Sequence, residues 1–180
     1  MRDKNGVYTA AKAAICISLL VASAYIVIPM PPSGFSAMTV MVNLIGLMLA
    51  PVQSALAMTV YLLMGLIGLP VFSGGTGGAG KLFGVAGGYY FGFLIAVVLI
   101  SLLKGKDFSA KRYIAVTVLA GIPIQHICAM LMMCIHNGFD IKGAFVSISL
   151  PFIVGDIVKA VAASFIGVAL NKVLVKNRIE

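Results

Sequence analysis

Asp156 and Lys159 lie three residues apart in a stretch, 150–175, that is otherwise mainly apolar. On a helix that spacing sets the two side chains about 60° apart on one face, one above the other. An ionisable group near the centre of a bilayer is costly unless it is paired or faces a hydrated cavity. The plain reading is a mutual ion pair, or Lys159 reaching the lipid headgroups along its apolar stem. The functional reading is a polar solute with one anionic end and another end rich in hydrogen-bond donors. Lys159 then takes the anion and Asp156 accepts from the N–H groups. Charge-assisted bonds of that kind are the strong ones in a dry site.

A second unusual segment is the loop 69–81, which contains Gly74, Gly75, Gly77, Gly78 and Gly80. Glycines expose backbone N–H and C=O groups and let the chain approach a ligand closely. At membrane depth such backbone is tolerated only where protein or a water-filled cavity satisfies it. A flexible external turn is the alternative. Residues 75–81 also spell the start of a P-loop, and 75–80 spell G-x-G-x-x-G. Leu82 stands where the P-loop needs a magnesium-binding hydroxyl, and no strand–helix alternation surrounds either match. The chain is expected to bind neither ATP nor a dinucleotide, and to use no cofactor.

His126 and His136 with Cys128 and Cys134 share no helix face, so they do not read as a metal site. His126 and its neighbour Gln125 suit a hydrogen-bonded bundle interior. No serine, histidine and acid form a catalytic set, and the chain does not read as an enzyme. Ala10, Ala14, Ser18 and Ala22 recur every four residues. Small residues in that register make a flat stripe for close helix packing, either within the bundle or against a separate membrane subunit.

The elements that must position these residues follow from composition. Apolar residues make up 61% of the chain and charged ones 10%, against roughly half and a quarter in soluble domains. Residues 1–180 therefore read as a single all-α domain, a polytopic membrane bundle of six helices set in lipid. The spans are predicted near 8–28, 37–49, 52–69, 82–103, 113–135 and 150–175. Pro29, Pro31 and Pro32 stop the first. Ala22, Ser23 and Ala24 resemble a leader cleavage site, but apolar character continues through Ile28, so the first span reads as retained. The second covers only about 20 Å of a core of about 30 Å, so it is flanked by interfacial residues or lies partly inside the bundle. Ser149, ahead of Leu150 and Pro151, reads as the start of the sixth. The three cysteines all fall in apolar runs and act as small hydrophobes.

With six spans, the basic clusters fall on one side: Arg2, Lys4 and Lys12; Lys104, Lys106, Lys111 and Arg112; Lys172, Lys176 and Arg178. That side is the cytoplasm, with both termini there. The net charge of +8 is thus a topology signal and not a nucleic-acid surface.

Three segments resemble one known family. They are Gly65-Leu-Ile-Gly-Leu-Pro-Val-Phe-Ser-Gly-Gly75-Thr-Gly-Gly78, Gly84-Val-Ala-Gly-Gly-Tyr89 and Pro151-Phe-Ile-Val-Gly-Asp-Ile-Val-Lys159. In order and spacing they resemble the BioY family, the biotin-specific substrate-binding components of energy-coupling-factor transporters. The resemblance implies a cell-membrane bundle with a biotin pocket toward its extracellular side, built from the later helices and the loop after the third. Its site would take in Asp156, Lys159, Tyr89, Gly74, Gly75, Gly78, Phe35, Thr39 and Gln125. It also implies that the stripe Ala10, Ala14, Ser18 and Ala22 meets a transmembrane coupling subunit driven by two separate ATPases. The chain departs from the family where Val85 and Ala86 replace a proline and a threonine, where Met38 replaces a glutamine, and at Val154. Other readings are a component for a different biotin-like vitamin or small carboxylate, a membrane-embedded enzyme, or a structural subunit.

Overall fold

The computed structural model describes residues 4–28 and 35–179, with side chains for 6–28 and 36–175. Its helices are α1 (Lys4–Ala24), α2 (Met38–Met48), α3 (Pro51–Leu66), α4 (Ala79–Leu82), α5 (Gly87–Leu103), α6 (Ala110–Val116), α7 (Ile122–Asn137), α8 (Ile141–Ala144) and α9 (Leu150–Ile179). A π turn, Thr117–Gly121, joins α6 to α7 in one long helix, and a second, Phe145–Ser149, joins α8 to α9. Gly6–Ala24, Ala110–Asn137 and Ile141–Val175 are long and apolar enough to cross a membrane; α2, α3 and α5 are shorter apolar helices. Together these six form the bundle. Its outer surface carries Ile15, Leu19, Leu56, Leu119, Leu131 and Val154, all exposed. So much outward apolar surface would be a liability in water and suits lipid.

The short second helix lies inside the bundle. α2 has 11 residues, about 16 Å of helix, and packs against α1, α5 and α9. Its last carbonyls lack a following turn to satisfy them, and side chains from three other helices do so instead. Lys12 donates to Met48 O at 2.7 Å, and Lys104, just past α5, donates to the carbonyls of Gly46, Leu47 and Leu49 at 3.1, 3.0 and 2.5 Å. Ser101 reaches Leu49 O at 2.6 Å and Asn171 of α9 reaches Leu47 O at 3.0 Å. Two ammonium groups thereby sit at the negative end of the α2 dipole.

Several boundaries differ from those predicted. α1 ends at Ala24 and does not continue to 28. Val27 and Ile28 form β1 and pair antiparallel with Ser36 and Phe35 of β2. The fourth span starts at Gly87, because Leu82 closes α4 and the chain turns back sharply. A Cβ at Gly87 would collide with the Leu82 carbonyl. Ser149 does not start the sixth span. Asp140 caps that helix, its carboxylate accepting from Gly143 N at 3.0 Å, and the helix runs on through residue 149. Pro151 is tolerated there because the π turn precedes it: Leu150 N bonds Phe145 O, five residues back. Pro123 follows the other π turn at the same distance, where Ile122 N bonds Thr117 O. A widened turn absorbs the missing N–H and the bulk of the ring.

α5 and α7 approach closely along Gly88 and Gly92. A Cβ at Gly88 would strike the Cys128 carbonyl, and one at Gly92 would lie 2.8 Å from Gln125 Cα. Glycines four apart at a helix crossing are the usual means of such close contact in membranes. This crossing sets Tyr89 against His126.

Candidate functional site

Asp156 lies midway between Ile141 and Asn171 along one helix, about 22 Å from each, and is 6% exposed. Its two carboxylate oxygens collect partners from three helices. Lys159 Nζ, one helical turn on, is 2.9 Å from Oδ1, and Thr39 Oγ1 in the first turn of α2 donates to the same oxygen at 3.3 Å. His126 Nε2 from α7 is 3.2 Å from Oδ2. Beyond His126, the Tyr89 hydroxyl of α5 lies 3.4 Å from Nδ1 and donates to Ile148 O at 2.6 Å. The Tyr89 and His126 rings meet edge to face, 5.7 Å between centroids. The carboxylate thus faces the positive end of α2, opposite the end held by Lys12 and Lys104.

Lys159 does not extend to the headgroups: its side chain is 11% exposed and paired with Asp156. The pair is only part of a larger cluster, since Thr39 and His126 also hold the carboxylate. The fold therefore brings Thr39, Tyr89, Asp156 and Lys159 together from α2, α5 and α9. His126 joins them, although its sequence context suggested only a hydrogen-bonded interior. The signal for it was the same as for Asp156: an ionisable group within an apolar span. Gln125 is 2% exposed. Its Nε2 has no hydrogen-bond partner among the described residues, so no hydrogen bond from it reaches Asp156. Phe35 pairs through its backbone with Ile28; its side chain lies outside the described residues.

The glycine loop is built into the bundle. Gly74, Gly75 and Gly78 have φ of 76°, 68° and 93°, values that favour glycine. Their N–H groups bond Ala24 O at 2.8 Å, Phe72 O at 2.9 Å and Gly65 O at 2.7 Å. Tyr25 and Tyr61 donate to the carbonyls of Pro70 and Val71 at 2.7 and 2.9 Å. Phe72 stacks on Tyr90 at 4.3 Å, and the Tyr90 hydroxyl accepts from Ser73 N at 3.1 Å. Adjacent tyrosines of α5 therefore serve two purposes: Tyr90 holds the loop and Tyr89 holds the charge cluster.

On α1, Ala10, Ala14, Ser18 and Ala22 are all exposed, while Cys16, Leu20, Ser23 and Ala24 turn inward and are buried. The stripe is not consumed by packing within the chain. Ala10 and Ala14 line a groove of about 650 Å³ between α1 and α3, whose far wall includes Gln53, Leu56 and Val60.

A helical bundle with a lipid-matched exterior and a polar cluster shared by four helices is an all-α polytopic membrane protein with a polar interior site. The BioY family profile matches residues 1–176, and the chain belongs to that family. It is 36% identical over 166 residues to the biotin transporter BioY of Thermotoga maritima, covering 92% of this chain and 97% of that relative. To the probable biotin transporter BioY of Pyrococcus horikoshii it is 34% identical over 158 residues, covering 88% and 93%. Its fold is similar to the crystal structure of the S-component for biotin from an ECF-type ABC transporter. The TM-score is 0.85 over 96% of this chain and 95% of that one, at 22% identity.

Proposed function

We propose that the chain is the high-affinity biotin-binding membrane component of a vitamin uptake transporter. The observation that carries this reading is the cluster around Asp156, held by four helices deep in an apolar bundle. Biotin offers a carboxylate for Lys159, ureido N–H donors for Asp156 and an apolar thioether ring for Tyr89 and Phe35. Thr39 and Lys159 occupy Oδ1 and His126 occupies one site on Oδ2. A carboxylate offers about four acceptor sites, which leaves Oδ2 room for a ureido N–H. Gly74, Gly75 and Gly78 shape the loop that shields the site, and expulsion of water strengthens each polar contact there. Gln125 supplies a spare donor beside it.

The exposed stripe Ala10, Ala14, Ser18 and Ala22 suits a transmembrane coupling subunit, with two ATPase subunits supplying the energy. The basic residues Lys12 and Lys104, which meet at the C-terminal end of α2, support a single cytoplasmic face. Six crossings of the cell membrane with both termini on that face follow from the same charge bias. The test is thermal stabilisation of the purified protein by a panel of vitamins. Stabilisation by biotin alone supports the reading, and an equal response to every vitamin, or none, refutes it. Purification with the coupling module tests the partners.

A further inference from the structure

We infer that Asn43 joins Gln125 in recognising a neutral urea group of the solute, and that the two amides set the specificity of the site. Both side chains are buried in an apolar bundle, Asn43 at 1% exposure and Gln125 at 2%. Asn43 Oδ1, an acceptor, and Gln125 Nε2, a donor, have no hydrogen-bond partner among the described residues. A buried polar atom left unpaired is costly. Asn171, another buried amide, shows the ordinary outcome: its Nδ2 donates to Leu47 O at 3.0 Å and to the Tyr113 hydroxyl at 3.1 Å. An occupant that accepts from Gln125 and donates to Asn43 removes both costs.

The fold sets this pair next to the Asp156 cluster. Asn43 lies one turn along α2 from Thr39, which bonds Asp156 Oδ1, and Gln125 immediately precedes His126, which meets Oδ2. Gly121 stands one turn before Gln125 on the same face of its helix. A Cβ at Gly121 would lie 3.2 Å from Asn43 Oδ1, so the missing side chain lets Asn43 approach the face from which Gln125 projects. With the open lone pair of Asp156 Oδ2, the set is acceptor, donor and acceptor. A cyclic urea presents N–H, C=O and N–H, which is its complement; a carboxylate only accepts and is not. Exchanging O and N in both amides keeps one donor and one acceptor, so the match does not depend on that assignment. A water molecule is the competing occupant. The choice of biotin as the urea rests on the function proposed above.

The test is the Kd for biotin and for its thiourea analogue, in which sulfur replaces the ureido oxygen, in wild type, Asn43→Leu and Gln125→Met. The analogue keeps both N–H groups but its sulfur is a weak acceptor. Wild type should prefer biotin to the analogue by about tenfold, and each variant should bind biotin about tenfold more weakly. Gln125→Met should also abolish the preference, because the donor it removes faces the replaced atom, while Asn43→Leu should keep it. With both amides in the opposite orientation the two variants exchange these results. Each substitution puts an apolar group of similar shape in place of a buried unpaired amide, so the Tm of the ligand-free protein should hold or rise. A lower Tm with the preference intact in both variants marks a structural pair bridged by water and overturns the inference. Wild-type affinity for biotin in both variants overturns it too. Equal wild-type affinity for biotin and the analogue does so without any variant having to fold. Each of these results leaves biotin binding standing, whereas wild-type protein that binds no biotin refutes the function proposed above.

Discussion

Thr39 and Asp156 are 117 positions apart in the chain, and their side-chain oxygens are 3.3 Å apart. The contact joins the buried second helix to the last one at the point where the charges gather. Thr39→Val keeps the shape and removes the donor. A long bond of this kind contributes about 1 kcal/mol, so biotin binding should weaken about fivefold with little loss of folded protein. Equilibrium binding of labelled biotin measures it.

Asp156→Asn and Lys159→Ala should each weaken biotin binding at least about tenfold. They differ in a second readout. Asp156→Asn strands the ammonium of Lys159 without a counter-charge, so it should also lower the Tm in detergent. Wild-type affinity in both variants would show that the pair holds the bundle together and has no part in binding.

Gly88→Ala tests whether the α5–α7 crossing positions the site. The added methyl meets the Cys128 carbonyl, which is backbone and cannot swing aside. Overpacking of this sort costs about 1–3 kcal/mol. It separates Tyr89 from His126, so both the Tm and biotin affinity should fall. A substitution that left both unchanged would mean that the helices have slack at this crossing.

Burial, with help from the charge of Lys12, pushes Lys104 from its ordinary 10.5 down to about 8. Between those values the unfolded chain holds a proton that the folded chain has released. Stability therefore rises with pH across that window. The Tm in detergent, followed from pH 8 upward, should increase in wild type and flatten in Lys104→Met. At neutral pH the same variant should be less stable than wild type, because three hydrogen bonds to the end of α2 are lost and Gly46 O loses the side-chain donor that Leu47 O and Leu49 O keep in Asn171 and Ser101.

Much of the bundle was legible in the sequence because apolar runs carry its physics directly. That Asp156 and Lys159 face inward could be read because a charge within a span needs a reason. The stripe on α1 was legible as a row of small residues, but whether it packs inside the chain depended on how the helix turned in the bundle, and Ala10, Ala14, Ser18 and Ala22 are left exposed. His126 carried the same signal as Asp156, an ionisable group within an apolar span, but its partners were not legible. Its significance comes from Tyr89, 37 residues away, and Asp156, 30 residues away, and no local pattern links them. The start of the last helix was misread at Ser149 for a similar reason. A proline normally marks a beginning, and nothing in the sequence period announces a π turn that lets a helix pass through one.

Each π turn holds one residue more than an α-helical turn, so each sets the rotational phase of everything beyond it. His126 lies five residues past Gly121, and Asp156 seven past Ser149. Deleting one residue from 117–121 and restoring ordinary winding would swing the ring of His126 by about 100° relative to the helix before it. The same edit in 145–149 would turn Asp156 and Lys159 toward a different neighbour. In both long helices, the direction in which the polar side chains of the cluster point is fixed by an inserted residue that itself bears no charge.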